Sequence, residues 1–354
     1  MYLYNIVIFI SALIHKNNIL IFVLYLKKTK KRFFVINMKG QGIGFGKAIL
    51  FNEHFVVYGI PSIVSAIGNY TLAKIEPWDK KQIFIEDNRK ATPNYKEDKI
   101  DQQKDSLQRI IKKMNVDQTK HGFKIILEGN LYCASGIGAS AASCVAIARA
   151  LSTYFDMNLN DDEINDIAYE GEKGYHGTPS GVDNTASTYG GLIWFQRGEE
   201  NAIERLRIQN PVEIVIGNTG KVANTQAAVA GVKQRKEQHV EKYNEIFHQA
   251  ENIAYLSKDA IENGDLKAIG KLMNENHKLL QQIEVSSREL DFLVSVAREK
   301  GAYGAKLTGG GLGGNIIALT PGKDCQENVA NAIEKEGYQT IKTVVGSSHG
   351  GVNF

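Results

Sequence analysis

Short apolar runs separated by turns dominate the first half of the chain, and long helical patterns dominate the second half. Runs rich in β-branched residues predict strands, because such side chains pack well on a pleated sheet. The predicted strands are residues 48–51, 55–58, 70–75, 82–85, 123–127, 192–195, 212–216, 306–308, 316–319 and 340–345. Apolar residues at helical spacing predict helices at 106–114, 141–154, 161–172, 225–256, 266–283 and 287–300. This order of elements is typical of an α+β protein.

A glycine-rich loop stands directly before one of the predicted helices. Residues 135–143 read Ser-Gly-Ile-Gly-Ala-Ser-Ala-Ala-Ser, and the helical pattern continues to Tyr154. A loop with few bulky side chains leaves backbone N–H groups free to converge on an anion, and the dipole of the following helix adds positive potential there. The sequence therefore predicts a phosphate-binding site at this loop.

Two familiar phosphate-binding templates do not fit the chain. A Walker A loop requires Gly-Lys followed by Ser or Thr, and no Gly-Lys pair here is followed by either residue. The pattern Gly-x-Gly-x-x-Gly occurs at Gly309, Gly311 and Gly314, but the apolar run after it predicts a strand. A dinucleotide-binding motif needs a helix at that point. We interpret the match as accidental.

Composition and cysteine usage narrow the class of protein. The chain has 354 residues, of which 43% are hydrophobic and 23% charged, as in a globular protein with room for two domains. Its three cysteines, Cys133, Cys144 and Cys325, show no Cys-x-x-Cys spacing, and its eight histidines form no i, i+4 pair. We therefore expect neither a disulfide framework nor a histidine-bound metal. A reducing, cytoplasmic setting fits this cysteine usage best.

The formal net charge of +3 is unevenly distributed along the chain. Residues 1–37 carry six basic side chains and no acidic one, so subtracting those six from +3 leaves residues 38–354 at −3. Because the net charge of residues 38–354 is close to zero, it gives no electrostatic reason to expect nucleic acid as a partner.

Residues 1–37 form an extension with two apolar stretches, at 2–14 and 19–26, that the polar residues 15–18 interrupt. A membrane-spanning helix needs about 20 predominantly apolar residues. One interpretation is a signal anchor with the basic cluster at 27–32 in the cytoplasm. We favour a mis-called start codon or a dispensable extension, because the composition is typical of AT-rich codons and Met38 lies just ahead of the first motif.

Four motifs, in order along the chain, resemble those of a known family. They are residues 46–59 (Gly-Lys-Ala-Ile-Leu-Phe-Asn-Glu-His-Phe-Val-Val-Tyr-Gly), the loop at 135–143, residues 172–184 (Glu-Lys-Gly-Tyr-His-Gly-Thr-Pro-Ser-Gly-Val-Asp-Asn) and residues 306–314 (Lys-Leu-Thr-Gly-Gly-Gly-Leu-Gly-Gly). Together they make the chain similar to the GHMP small-molecule kinases over nearly everything from Gly42 onward. Each motif alone is moderately specific, whereas four in this order form a strong signal.

The resemblance implies a fold and a reaction. GHMP kinases have a two-domain α+β fold, with an N-terminal domain like domain 2 of ribosomal protein S5, a ferredoxin-like C-terminal domain and the ATP site between them. We therefore expect an N-terminal domain at 38–205 and a C-terminal domain at 206–354. The apolar residues 55–57 resemble the branch of the family that phosphorylates mevalonate, whereas sugar kinases have an acid there. The expected reaction is ATP-dependent phosphorylation of mevalonate to 5-phosphomevalonate, with Mg²⁺.

The resemblance also assigns expected roles, position by position. Asp183 matches the catalytic aspartate, which takes or orients the proton of the substrate's C5 hydroxyl, and Lys47 matches the lysine that keeps this aspartate ionised. Ser140 and Glu172 match the residues that hold Mg²⁺. The residues expected to wrap the triphosphate of ATP are Ser135, Gly136, Ile137, Gly138, Ala139, Ser140, Ala141 and Ala142, and those expected to line the mevalonate site are Glu53, His54 and Thr225.

The expected chemistry is consistent with these residue types. An aspartate carboxylate is a weak base toward an alcohol, so it cannot drive the reaction by basicity alone. Because the transition state of phosphoryl transfer is largely dissociative, positioning the hydroxyl and neutralising the phosphate oxygens matter more than early deprotonation. We interpret His176 as a structural hydrogen-bonding residue and not as the catalytic base.

Two alternatives stay open at the level of sequence. The first is another kinase of the same family, acting on phosphomevalonate or a sugar derivative. The second is a non-catalytic member that binds ligand and regulates a partner; such proteins commonly lose their catalytic charges, but Lys47, Glu172 and Asp183 are all present. The resemblance further implies a homodimer as a candidate assembly.

Some positions depart from the family's pattern. Asn52 stands where glycine is usual in the first motif, and Cys133 stands where proline is common. Asparagine tolerates positive φ better than most residues, so we expect the turn at Asn52 to be kept. Cys133 is a candidate reactive thiol beside ATP, although a small buried cysteine is more often inert.

Overall fold

The structure is a computed structural model that describes residues 10–15, 19–24, 32–37, 39–91, 94–117, 122–133, 136–208, 210–221, 223 and 225–346. The strands within these ranges are β1 (Ile10–His15), β2 (Ile19–Leu24), β3 (Arg32–Asn37), β4 (Gln41–Phe51), β5 (Ser62–Pro77), β6 (Ile83–Asp87), β7 (Phe123–Gly129), β8 (Leu192–Gln196), β9 (Ala202–Leu206), β10 (Val212–Asn218), β11 (Gly304–Thr308), β12 (Asn315–Leu319) and β13 (Gln339–Val345). The helices are α1 (Tyr95–Asp98), α2 (Ile100–Lys113), α3 (Ala139–Tyr154), α4 (Asp161–His176), α5 (Val182–Tyr189), α6 (Thr225–Gln238), α7 (Val240–Glu262), α8 (Leu266–Gln282), α9 (Arg288–Glu299) and α10 (Lys323–Lys335). A short 3₁₀ helix covers Phe55–Tyr58.

The long strand β5 organises the larger sheet. It spans 16 residues and pairs antiparallel with β4, β7 and β8 along its length. Ile67 of β5 also pairs with Val345 of β13, which leads through β10 and β12 to β11. Strands from both halves of the chain thereby join in one ten-stranded sheet within the described residues, while β1, β2 and β3 pair in a separate three-stranded antiparallel sheet.

The α+β prediction is confirmed by this mixture of a largely antiparallel sheet and helices. The domain boundary predicted between residues 205 and 206 stays a prediction. It falls within β9, one residue before that strand ends, and the sheet continues across it through the contact of β5 with β13.

Helix α3 packs against β4 at very short range. A Cβ atom on Gly44 would lie 2.1 Å from the carbonyl oxygen of Ala142, and one on Gly42 would lie 2.4 Å from that of Ala146. Only glycine, which has no Cβ, permits such an approach of strand to helix. The N-terminal end of α3 is therefore fixed beside the part of β4 that carries Lys47.

Helix α4 begins at a capping box. The Asn160 side chain accepts a hydrogen bond from the backbone N–H of Glu163, and the Glu163 carboxylate accepts one from the backbone N–H of Asn160. This reciprocal pair satisfies two of the N–H groups that a helix leaves free at its start. The helix runs on to His176, so that Glu172 lies near its C-terminal end.

Two large apolar cores lie on the helical faces of the sheet. The larger core joins β4, β5 and β8 to the helices and strands of the second half, and its largest fully buried side chains include Tyr243, Phe51 and Phe55. The smaller one fills the space between β7 and the helices α2, α3 and α4. The strands and helices that carry the predicted site residues are therefore anchored in buried apolar packing.

Most predicted elements are confirmed within a few residues. They include helix α3, which follows the glycine-rich loop, and the strand Asn315–Leu319 that follows the Gly-x-Gly-x-x-Gly pattern. The strand predicted at 55–58 is wrong, because these residues form a 3₁₀ helix after a sharp turn. Asn52 and His54 adopt positive φ angles of 69° and 63° in that turn, which confirms the expectation for Asn52. The helix predicted at 225–256 is two helices that meet at His239.

The interpretations of residues 1–37 stay open. Residues 1–9, 16–18, 25–31 and 38 lie outside the described residues. Within the ranges that the structure describes, every helix is too short or too polar to cross a lipid bilayer.

The close approach of β4 to α3 predicts unequal costs for two matched substitutions. Gly44→Ala would place Cβ against a backbone carbonyl, whereas Gly46→Ala would place it 2.6 Å from the flexible Leu131 methyl group. We expect Gly44→Ala to lower the free energy of unfolding by about 2–3 kcal/mol and Gly46→Ala by about 1 kcal/mol. Urea denaturation measures both values. Equal losses would contradict the proposed rigid strand–helix contact.

Candidate active site

Lys47 and Asp183 meet in the structure although they are far apart in sequence. The Nζ atom of Lys47 lies 3.2 Å from Oδ1 of Asp183. The lysine side chain is 6% exposed and the aspartate side chain 31% exposed, so the pair reaches the surface on the carboxylate side. A buried cation beside an accessible carboxylate is an arrangement in which the carboxylate can reach a substrate.

Local backbone features fix both members of this pair. The backbone N–H of Lys47 donates to the carbonyl of Ile137 at 2.8 Å, and the pairing of β4 with β5 shifts register between Phe45 and Lys47. Helix α5 begins directly after Gly181, whose φ of +88° sets the start of that helix, and Asp183 lies in its first turn. A strand irregularity and a helix start therefore aim the two side chains at each other.

The glycine-rich loop lies beside the pair. Gly136 and Gly138 adopt φ angles of +68° and +77°, a region that favours glycine, and α3 begins at Ala139. A Cβ atom on Gly138 would lie 2.8 Å from Cγ of Lys47, so the loop and the lysine stem are in contact. Ile137, Ala141 and Ala142 are fully buried and can offer only backbone groups. Ser135, also predicted in this group, lies outside the described residues.

Glu172 has a buried carboxylate group, and one of its two oxygens forms no hydrogen bond. Its side chain is 2% exposed, and its Oε1 atom has no hydrogen-bond partner. Burial raises the pKa of Glu172 to about 8, and the negative charge of Asp183 adds to this, while a hydrogen bond from Ser140 and the charge of Lys47 oppose it. The Oγ atom of Ser140 also lies 3.2 Å from Nε2 of His176. This contact is compatible with a structural role for His176, which stays a prediction.

The residues present fit a divalent cation. An unpaired, buried carboxylate oxygen is a favourable ligand for a hard cation. The positive charge of such a cation would offset the free-energy cost of burying the ionised Glu172 carboxylate, the cost that raises its pKa. Mg²⁺ in phosphoryl-transfer sites is commonly held by one or two protein oxygens together with substrate phosphates and water. Among the described residues, no group of three or more His, Cys, Asp or Glu side chains could form a metal site by itself, so the phosphates would have to complete this one.

Two of the three residues predicted to line the substrate site come together around Gly310. The imidazole Nε2 of His54 lies 3.1 Å from the carbonyl oxygen of Gly310. A Cβ on Gly310 would lie 2.1 Å from Oγ1 of Thr225, so Thr225 packs directly on that glycine. Burial lowers the pKa of His54 to about 4, so its imidazole is neutral. The third residue, Glu53, is 1% exposed, and Lys306 occupies both of its carboxylate oxygens.

The first two apolar residues after His54 are buried and do not face an open site. Phe55 is fully buried and packs edge-on against Phe247 at 5.1 Å between ring centroids, and Val56 is 5% exposed. These two side chains belong to the apolar core. Val57 and Tyr58 are only partly buried.

Sequence reasoning missed a buried arginine beneath the phosphate loop. The guanidinium group of Arg89 forms two hydrogen bonds with the Asp87 carboxylate, and it also donates to the carbonyl of Ala139 and to the hydroxyl of Ser143 in α3. It thereby ties the first turn of α3 to the segment after β6. The only sequence signal is an arginine within a polar, lysine-rich stretch, which is also the composition of a solvated surface.

An open pocket lies beside Arg89, between the start of α3 and the segment at 87–103. Its lining residues are Asp87, Arg89, Tyr95, Lys96, Lys99, Gln103, Cys133, Ala139, Ser140 and Tyr175. The pocket combines aromatic rings with cationic groups next to the phosphate loop, which suits a nucleotide. Burial raises the pKa of the Cys133 thiol, and this side chain is 2% exposed, so the geometry disfavours a reactive thiolate there.

Comparison with known protein families connects both halves of the chain to one family. The family described as GHMP kinases N terminal domain matches residues 104–191, and the family described as GHMP kinases C terminal matches residues 257–339. The first match includes the phosphate loop, Glu172 and Asp183, and the second includes the glycine-rich segment that begins at Lys306.

Individual relatives extend these matches over most of the chain. A protein named mevalonate kinase from Pyrococcus abyssi is 35% identical over 310 residues, which cover 82% of this chain and 91% of the relative. The crystal structure of L. major mevalonate kinase in complex with R-mevalonate is 39% identical, with a TM-score of 0.83 and coverage of 87% of this chain and 96% of that one. The structure of Methanococcus jannaschii mevalonate kinase, at 24% identity and a TM-score of 0.72, shares the fold.

The electrostatics of Glu172 predict a pH-dependent stability. In the protein without nucleotide or metal ions, the folded state holds the Glu172 proton up to about pH 8, whereas an unfolded chain releases it near pH 4.5. The stability of the wild-type protein relative to Glu172→Gln should therefore fall as pH rises from 4.5 to about 8, and level off above that. Thermal unfolding of both proteins between pH 5 and pH 9, at steps of about one unit, measures the difference. A difference that stays constant over this range would show that the carboxyl is not buried as described.

Proposed function

This chain belongs to the GHMP kinase family, and on that premise we propose that it transfers the γ-phosphoryl group of ATP to the C5 hydroxyl of mevalonate. Family membership implies ATP as the phosphoryl donor and a small molecule as the acceptor. The choice of mevalonate is supported by relatives of that name that match over nine tenths of their own length, and by the structural likeness to a mevalonate-bound kinase. The products would be 5-phosphomevalonate and ADP.

The observation that carries this proposal is the ion pair between Lys47 and Asp183 beside the phosphate loop. A catalytic carboxylate must lie within hydrogen-bond reach of the hydroxyl that it serves and close to the phosphate that this hydroxyl attacks. Asp183 is accessible and lies next to a lysine that contacts Gly138 of the loop. A non-catalytic ligand-binding protein would not require this combination of charges.

Specific groups of this chain act on the hydroxyl and on the phosphates in the proposed reaction. The C5 hydroxyl oxygen forms a bond to the γ-phosphorus while the bond from that phosphorus to the β,γ-bridging oxygen breaks, and ADP leaves. Asp183 orients the hydroxyl and receives its proton as the new bond forms. Lys47 lies where its ammonium group can offset negative charge on the transferred phosphoryl group. The backbone N–H groups around Gly136 and Gly138, together with the N-terminal end of α3, bind the phosphates.

We further propose that Ser140 and Glu172 hold Mg²⁺. When bound there with ATP, Mg²⁺ would neutralise phosphate charge and help to fix the triphosphate. The unpaired Oε1 of Glu172 supports this role, because its burial costs free energy unless a positive charge is near.

His54 and Thr225 are proposed to contact mevalonate, since both lie against Gly310 in the glycine-rich segment that follows Lys306. The neutral imidazole of His54 suits contact with a hydroxyl group. Glu53 is buried, and both of its carboxylate oxygens accept hydrogen bonds from Lys306. Its predicted contact with mevalonate stays a prediction.

A homodimer and a cytoplasmic location complete the proposal. The cytoplasmic location is supported by three free cysteines, Cys133, Cys144 and Cys325, which suit a reducing compartment. The dimer is supported only by the family resemblance, and sedimentation of the purified protein measures it directly.

A substrate panel tests the proposed function. ADP release by the purified protein beginning at Met38 should depend on mevalonate, ATP and Mg²⁺ together, and excess EDTA should abolish it. Phosphomevalonate and galactose serve as competing acceptors, because kinases for them share this fold at 16% and 19% identity. We expect kcat/KM for mevalonate to exceed that for either competitor by at least about a hundredfold, since phosphomevalonate has no free C5 hydroxyl group and galactose has no carboxylate. A preference for phosphomevalonate or for galactose would overturn the substrate assignment.

A further inference from the structure

Lys306 and Glu53 form a fully buried ion pair that the proposed reaction does not use. Their side chains are 0% and 1% exposed, and the Lys306 Nζ lies 2.5 Å from each carboxylate oxygen of Glu53. The same ammonium group donates to the carbonyl of Leu307 at 2.7 Å, so all three of its donors have partners. The two residues are 253 positions apart, and their contact joins the motif at 46–59 to the motif at 306–314.

The turn on which Glu53 lies is strained. Asn52 and His54, on either side of Glu53, both have positive φ, and the ψ of His54 is −44°, outside the left-handed helical region. Such conformations persist only where the surroundings determine them. Asn52 is held by reciprocal hydrogen bonds with Asn276, at 3.1 and 2.8 Å, and His54 is held by its contact with Gly310.

A contribution to the stability of the folded protein does not explain why Lys306 and Glu53 are buried as an ion pair. Burial raises the pKa of Glu53 and lowers that of Lys306, so both charges are held against a desolvation penalty. A buried ion pair is often no more stabilising than apolar side chains of similar volume, although removal of one partner is costly. What the pair does supply is a fixed position, because a carboxylate held at both oxygens restrains the backbone that carries it.

We propose that Lys306 is a positioning residue for the mevalonate end of the site. Its ammonium group fixes Glu53, and through Glu53 it fixes the strained turn that presents His54 beside Gly310 and Thr225. This inference rests on the proposed function for its kinetic consequences. It assigns Glu53 to the support of His54 and not to contact with the substrate.

Kinetics of Lys306→Met and of the double variant Glu53→Gln/Lys306→Met test this role. Lys306→Met leaves a buried carboxylate unpaired, so it should lower the melting temperature and raise the KM for mevalonate by roughly tenfold or more, while the KM for ATP changes by less than about twofold. The double variant removes both charges and should regain much of the melting temperature but not the KM. If stability and KM recover together, the pair is only structural and the proposal fails.

A milder variant and a matched control complete this comparison. Glu53→Gln keeps the side-chain size and one carbonyl acceptor for Lys306, so it should fold and show a smaller rise in KM than Lys306→Met. Lys342→Met removes a lysine from the half-exposed pair with Glu327, in the same half of the chain. It should leave both KM values unchanged. An unchanged KM for mevalonate in Glu53→Gln and Lys306→Met alike would refute the positioning role.

A thermodynamic cycle with His54 distinguishes indirect from independent action. If Lys306 acts through His54, then Lys306→Met should add less than about a twofold rise in KM once His54→Ala is present. Multiplied effects in the double variant would mean that Lys306 acts on the substrate site by another route, contrary to the proposal.

An NMR measurement separates this inference from the proposed function. The contact with the Gly310 carbonyl requires that Nε2 of His54 carries the proton, so Nδ1 is unprotonated in the neutral ring. Imidazole ¹⁵N spectra of the free protein should show this single tautomer in the wild type and in Lys342→Met, and a mixture in Lys306→Met. If the wild type fails to phosphorylate mevalonate, the reaction assignment fails while the spectra still decide the inference. An unchanged tautomer in Lys306→Met would overturn it.

Discussion

The ion pair between Lys47 and Asp183 is the interaction on which the rest of the site depends. It forms only because β4 and α5 deliver their side chains to the same end of the phosphate loop, and β4 can do so only because glycines let α3 lie directly on it. The close packing of strand and helix therefore sets the distance between the charges and the loop. Chemistry that needs a hydroxyl, a carboxylate and a phosphate in line depends on distances of this kind.

The three buried or half-buried carboxylates of the site differ in their surroundings, and these differences suggest different tasks. Asp183 faces a lysine and is accessible, which suits contact with a substrate. Glu172 is buried with an unpaired oxygen and a raised pKa, which suits a ligand of a divalent cation. Glu53 is buried and bound on both oxygens by Lys306, which suits support of the backbone. Buried carboxylates with raised pKa values, such as Glu172 and Glu53, are characteristic of functional sites.

Local sequence signals were sufficient for the glycine-rich turn before α3, for that helix and for the strand after Gly314, because glycine spacing and apolar periodicity both act over a few residues. They failed for residues 55–58, where positive φ at Asn52 and His54 converts an apolar run into a 3₁₀ helix. The pattern also gave no sign of α5, whose short sequence is buried on most sides and shows little periodicity. The partner of Lys306 and the contacts of Arg89 with α3 lie far away in sequence, so only the fold reveals them.

The central claim is that Lys47 and Asp183 act as one unit in phosphoryl transfer, and single-turnover rates of Lys47→Met, Asp183→Asn and the double variant test it most directly. Each single variant is expected to slow the transfer step by about a hundredfold to ten-thousandfold. Affinity for a non-hydrolysable ATP analogue should stay within about threefold in Asp183→Asn, because the phosphate contacts lie on the loop. The account predicts a double variant that is no slower than the slower single variant. Losses that multiply in the double variant, or nucleotide affinity that falls in parallel with the rate, would contradict it.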